Sequence, residues 1–331
     1  MATSKTERRS EGGARASGAG YDRILVPLDG TPFAEAALRP AARTAARSGG
    51  TLYLATVLPQ GTGEALHVEP VTNEPVSEVE HVAIMDQYLE TVSNRIRELW
   101  DCEVSANMLT PDSPTAALLA HAEDVSADLI VAATHARGAV VRALLGSTAN
   151  DLVRRAKRPV LLVPSADPEP DEMTTPLQDD ITAVVVALDP DGDPGTALFH
   201  AGRFARLWSV PLHLAHVIMK FPLPATNPAG GGPVETEQGV VASADALEDA
   251  RSELEALASS LRREGVDAYP HALSGFKVVD AIGELVEESE ADLLVVGRHD
   301  KSLFERMWEG SESDRLTRRV RSAGILVCPL E

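Results

Sequence analysis

Two acidic residues and two Gly-Ser pairs stand at matching places in the chain. Asp29 closes the run Arg-Ile-Leu-Val-Pro-Leu-Asp at 23–29, and Asp189 closes Ala-Val-Val-Val-Ala-Leu-Asp at 183–189. Ala133-Thr134-His135-Ala136 is followed by nine residues and then Gly146-Ser147; Gly297-Arg298-His299-Asp300 is followed by nine residues and then Gly310-Ser311. A carboxylate just past a strand can accept hydrogen bonds from ligand hydroxyls. A Gly-Ser pair opening a helix offers backbone N–H groups to an anion. Each also has a structural reading. Ser147 and Ser311 suit an N-cap, a role compatible with anion binding. Asp29 and Asp189 suit turns.

The chain offers no catalytic constellation beside these. It has no Gly-x-Ser-x-Gly elbow, no His-Glu-x-x-His and no Gly-Lys-Ser/Thr phosphate loop. Ser274-Gly275-Phe276-Lys277 matches Ser-x-x-Lys without its companions, and residues 189–193 form an acidic turn lacking the Glu of a calcium loop. His135 and His299 share a loop slot and are assigned no catalytic role. Arg137 and Arg298 are read as solvated side chains, with phosphate contact as the alternative. His213 and His216 are three apart on a strand, so they face opposite ways and cannot share a metal. Cys102 and Cys328 are read as packing or exposed thiols. No metal site is expected.

The elements that must position these residues are legible in the pattern. At 331 residues the chain has room for two domains. The second copy of the first strand motif lies 160 residues after the first, as do Leu-His-Leu-Ala-His-Val-Ile at 212–218 after Leu-Tyr-Leu-Ala-Thr-Val-Leu at 52–58. Ala291-Asp292-Leu293-Leu294-Val295 and Gly310-Ser311 follow their counterparts by 164. That pattern is a duplication with one small loop change. The expected units are a disordered tail at 1–20, a domain at 21–164, a solvated acidic linker at 165–180 and a second domain at 181–331. In the first repeat, strands are expected at 24–26, 51–58, 104–109, 129–133 and 159–163. Helices are expected at 33–48, at 114–123, at 147–157, and on Ile84, Tyr88, Val92, Ile96 and Leu99. Residues 60–77 and 221–241 read as long loops. Alternation of strands and helices predicts an α/β fold, a doubly wound parallel sheet in each half, with ligands beyond the carboxyl ends of the first and fourth strands.

Composition narrows the partners. A formal charge of −20 disfavours nucleic acid and anionic membrane, and the basic clusters at 154–158 and 315–321 read as solvated helix faces. No apolar run is long enough to span a bilayer and the first 20 residues carry no apolar leader core, so a cytoplasmic protein is expected.

The twin Asp, the nine-residue spacing and the Gly-Ser pairs resemble the universal stress protein family in its tandem form, over nearly the whole chain outside tail and linker. The resemblance implies two five-stranded domains akin to the adenine nucleotide alpha hydrolases. It also implies a site for ATP, with Mg²⁺, on Pro27, Leu28, Asp29, Val57, Ala133, Ala136, Arg137, Gly146, Ser147 and Thr148 in the first half. In the second half the site residues are Leu188, Asp189, Val217, Gly297, Gly310 and Ser311. The family pattern has glycine at 133, 136 and 300, where this chain has Ala, Ala and Asp. Each Ala adds a methyl where backbone meets phosphate. If a left-handed backbone is also required, it costs about 1 kcal/mol or more. Asp300 facing phosphate costs a few kcal/mol, roughly, unless Mg²⁺ bridges them. The site is therefore expected in the first half in preference to the second. The implied role is a non-catalytic stress-response or regulatory module, with ATP hydrolysis at most very slow because no residue pair activates a water. The alternative is an interaction scaffold with both pockets vestigial, and an adenylating or nucleotide-hydrolysing enzyme is the remaining reading. Residues 160–163 and 325–327 are expected sheet edges that pair the two halves about a pseudo-twofold or form a homodimer.

Overall fold

Ile24, Leu25 and Val26 are fully buried, as a strand covered on both faces must be. They belong to β1 (Arg23–Leu28), the first of ten strands in one sheet. The computed structural model describes residues 20–58, 67–68, 75–110, 113–135, 147–165, 181–188, 195–219, 244–298 and 323–329. Residues 1–19 of the expected tail, most of the first long loop, all of the second, the linker beyond Ser165 and the 315–321 basic cluster lie outside them.

In the first half β1 is followed by α1 (Pro32–Glu35), α2 (Leu38–Ser48), β2 (Thr51–Val57), β3 (His67–Val68), β4 (Pro75–Val76), α3 (Glu78–Leu99), β5 (Glu103–Leu109), α4 (Pro114–Asp124), β6 (Leu129–His135), α5 (Ser147–Arg155) and β7 (Val160–Ser165). The second half carries β8 (Val184–Ala187), α6 (Gly195–Trp208), β9 (Leu212–Met219), α7 (Ala244–Arg263), β10 (Ala268–Gly275), α8 (Val278–Glu288), β11 (Leu293–Gly297) and β12 (Gly324–Cys328). Inside the expected loop at 60–77, β3 and β4 form a two-residue antiparallel pair.

The sheet order is β10-β9-β8-β11-β12-β7-β6-β1-β2-β5, so each half winds outward in both directions from its own first strand. Within this ten-stranded sheet every pairing is parallel except one. β7 and β12 run antiparallel, with Leu161 opposite Leu326, and join the two halves into a single sheet. Side chains alternate between two cores. Ile24, Val26 and Leu28 pack with α2, α3, α6 and α7 on one face, and Leu25, Ile130 and Leu162 pack with α4, α5 and α8 on the other.

Two local expectations are corrected. The single helix expected at 33–48 divides into α1 and α2. Pro40 has no N–H to give to the Ala36 carbonyl, so the α ladder cannot run through 36–37, and Ala36 and Ala37 bond three residues back instead. The buried stripe of α3 is Met85, Leu89, Val92 and Ile96; Ile84 and Tyr88 are half-buried at its flank and Leu99 is exposed. The duplication is also visible in the backbone. Gly49 and Ser209 end α2 and α6 in the left-handed conformation, and Ser126 and Glu290 follow α4 and α8 in the same conformation.

Candidate functional site

The site grows from where two strands part. β1 bonds β2 along its whole length, from Arg23 opposite Thr51 to Leu28 opposite Thr56. Its ladder with β6 comprises only Ile24 opposite Leu129 and Leu25 opposite Ile130, although β6 runs on to His135. The carboxyl ends of the first and fourth strands therefore separate, opening the crevice where doubly wound sheets hold ligands. In the second half the corresponding strands do not part within β8. β8 and β11 stay paired from Val184 opposite Leu293 to Ala187 opposite Val296.

Asp29 is exposed at the mouth of the first crevice. Its Oδ1 accepts from the Thr31 N–H at 3.0 Å and the Thr31 hydroxyl at 2.5 Å, and Thr31 Oγ1 in turn caps α1 by accepting from Ala34 N–H. The turn role of Asp29 is thus real. Among the described residues its Oδ2 accepts nothing, so a ligand hydroxyl can still be received there. Gly30 makes the turn with φ of 81°. Pro190 stands in its place after Asp189, and a ring that fixes φ near −65° cannot make the same turn. Asp189 itself lies outside the described residues.

A neighbour of Asp29, Tyr88, escaped the sequence reading as a site residue. Tyr88 of α3 lies beside Glu35 of α1, which is paired with Arg95 of α3. Burial first, then the Glu35 and Asp29 carboxylates, push the Tyr88 phenol far up, so it stays a hydrogen-bond donor at all ordinary pH. Its helical spacing marked Tyr88 only as a core position, because nothing in the sequence tells where α1 and α3 meet.

The remaining candidates divide. Pro27 is half-buried and Leu28 is buried in the core, so Leu28 can offer only backbone. Val57 ends β2 opposite Leu109, and Val217 sits on β9 opposite Leu273; both pack on the α4/α8 face. Thr148 is half-buried in the first turn of α5, which Ser147 opens. Ala133 pairs with Val163 in β6 and is absent from the residues with positive φ, so the left-handed strain considered for it does not arise. Among the described residues no atom lies within 4 Å of where a Cβ at Gly297 would stand, so their packing does not demand glycine there. Ala136, Arg137, Gly146, Gly310 and Ser311, with His299 and Asp300, lie outside the described residues.

Arg298 is half-buried, and part of its guanidinium is engaged by the fold. Its Nη1 donates to the carbonyls of Val153 and Ala156, at the end of α5, at 2.9 Å each. Only the start of the basic run at 154–158 lies on a helix: Arg154 and Arg155 end α5, with Arg155 paired to Asp151, whereas Lys157 and Arg158 lie in the turn beyond it and pair with Glu123. A cavity of about 250 Å³ beside Glu123 and Ile130 lies at the amino end of the strands, away from the crevice. Among the described residues no three His, Cys, Asp or Glu side chains gather to hold a metal, and no helix is long and apolar enough to cross a membrane. Both cysteines are free; burial pushes the Cys328 thiol far up.

The profile of the Universal stress protein family matches residues 20–164 and again residues 181–327. The chain belongs to the universal stress protein family. It carries that family's domain in tandem. A universal stress protein of Staphylococcus aureus strain USA300 is 29% identical over 163 residues, 48% of this chain and 96% of its own length. Among solved structures, a universal stress protein from Archaeoglobus fulgidus matches with a TM-score of 0.63 at 17% identity, covering 94% of this chain and 97% of that one. Another from Pseudomonas aeruginosa matches at 0.54 and 16% identity, covering 94% of each. These structural likenesses are likenesses of fold.

Proposed function

We propose that this tandem universal stress protein is a non-catalytic stress-response module that binds ATP, with Mg²⁺, in the crevice of its first half. The observation that carries the reading is the early end of the β1–β6 ladder, which parts the carboxyl ends of the two strands beyond Leu25 and Ile130, with Asp29 just past the end of β1. The residues fit the group. Asp29 has a carboxylate oxygen that accepts nothing among the described residues and suits ribose hydroxyls. The backbone at Val57 suits an adenine edge. The N-terminus of α5 at Ser147 and Thr148 suits phosphates, and Mg²⁺ would neutralise part of their charge. Ala133 and Ala136 narrow the approach without a left-handed penalty at Ala133. Asp189 before Pro190, Asp300 and the intact β8–β11 ladder make the second half the poorer site. On this reading the domains are residues 21–164 and 181–331, and the protein works in the cytoplasm.

Nucleotide can change such a protein only through unequal affinity for two of its states. Any hydrolysis of bound ATP is at most very slow on this reading, because the sequence offers no motif that would position and activate a water. The scaffold reading keeps one specific support. Asp29 Oδ1 and Arg298 Nη1, two groups suited to a nucleotide's hydroxyls and phosphates, are both engaged by the fold itself.

Calorimetry with ATP and Mg²⁺ on the intact protein separates these. The expected result is one site, weakened at least tenfold in Asp29→Ala and unchanged in Asp189→Ala. No heat with the wild type favours the scaffold. Loss only in Asp189→Ala moves the site to the second half, and steady release of phosphate favours the enzyme.

A further inference from the structure

Two histidines meet at the outer rim of the second half. β9 and β10 run parallel with Tyr269 opposite His213 and His271 opposite Ala215, which puts His213, Tyr269 and His271 on one face. His213 Nδ1 and His271 Nε2 are 2.9 Å apart. The ring centres are 5.1 Å apart with planes tilted by 34°. Tyr269 stacks on the His213 ring at 5.4 Å and gives its hydroxyl to Asp267, which steadies the ring from one side. β10 is the last strand of the sheet, and both imidazoles are half-buried, so water reaches the pair.

Burial holds both imidazoles below their usual range, and His271 adds to the effect on His213. The charged groups acting against it are carboxylates, Asp267 on His213 and Glu288 on His271. Two carboxylates, Asp267 and Glu288, thus stand beside the pair.

We infer that His213 and His271 form a binding site for a divalent transition-metal ion of the zinc class, with water completing its shell. In the metal-free pair one facing nitrogen carries a hydrogen and the other accepts it. On binding, that hydrogen moves to the far nitrogen of the same ring, both facing lone pairs go to the ion, and no proton is released. Tetrahedral bonds of about 2.0–2.1 Å place two imidazole centres about 5.2 Å apart, so the rings need only pivot where they stand. Asp267 and Glu288 then suit the far N–H groups, the usual carboxylate support of a metal-bound histidine. No third protein ligand gathers there among the described residues, which makes the ion exchangeable rather than structural. The inference does not depend on nucleotide binding, since these residues lie outside the crevice.

The test is titration of the tag-free full chain with ZnCl₂ by calorimetry. The wild type and His216→Gln, altered on the opposite face of β9, should show one saturable site. His213→Gln and His271→Gln should each weaken it at least tenfold. Imidazole ¹⁵N spectra of the wild type supply a reading that needs no variant: zinc should shift the nitrogens of His213 and His271. Absence of a saturable site, equal affinity in all four proteins, or unmoved His213 and His271 signals overturns the inference.

Discussion

The guanidinium of Arg298, one residue past β11 in the second half, holds the Val153 and Ala156 carbonyls that end α5 in the first half. A helix leaves its last carbonyls unpaired and its carboxyl end negative, so a cation there answers both needs. The same helix opens at Ser147, the candidate phosphate end. Arg298→Ala should lower unfolding stability by about 1–3 kcal/mol and speed amide exchange along α5. Urea unfolding and hydrogen exchange read the two effects; unchanged exchange in α5 would show that the contact holds nothing.

A second contact between the halves should respond to acid. His200 of α6 lies 2.9 Å from the buried Tyr21 hydroxyl, and Arg203 beside it pairs with Asp128 of the first half. Burial, then the Arg203 charge, push His200 down to about 4. The unfolded chain takes up that proton near pH 6.5 and the folded one only near 4, so folded stability falls as pH drops through this window. The difference is of order 3 kcal/mol at most. His200→Gln should flatten the stability–pH curve of the wild type between pH 6.5 and 4. Parallel curves would contradict the assignment.

Much of this was legible beforehand, for physical reasons. Strands buried on both faces announce themselves as apolar runs, and duplication made Ile24 and Val184, or Leu129 and Leu293, check one another. Contacts between distant elements leave no such trace. Nothing local tells that Arg298 reaches α5, that His271 lies diagonal to His213 across the β9–β10 register, or that Tyr88 faces Glu35. The site was legible as a place, the carboxyl ends of the first and fourth strands, because topology fixes it. Its difference between halves was read from glycines alone. Gly30 against Pro190, and the early end of the β1–β6 ladder, add to it and needed coordinates to be seen.

The joint between the halves makes a quantitative prediction. Leu161 and Leu326 face each other across the antiparallel pair and are both buried. Each Leu→Ala change should cost about 2–5 kcal/mol. The double variant should depart from the sum by more than about 0.5 kcal/mol, as contacting residues do. Additive losses in chemical unfolding would mean that the two side chains do not share a cavity.

Gly297 should prove dispensable to the fold. With no atom of the described residues near its absent Cβ and no positive φ, Gly297→Ala should leave the melting temperature unchanged or slightly raised. Ala133→Gly, in the middle of a covered strand, should instead cost roughly 0.5–1 kcal/mol. A clear drop in stability for Gly297→Ala would show that the second loop packs more tightly than its described part suggests.

The central claim is that nucleotide sits where β1 and β6 part. Its most direct test is a crystal structure of the intact protein grown with ATP and Mg²⁺. The account predicts one nucleotide, its ribose at Asp29 and its phosphates at the Ser147 end of α5. Density beside Asp189 instead, or both crevices filled by water alone at saturating ATP, would contradict it.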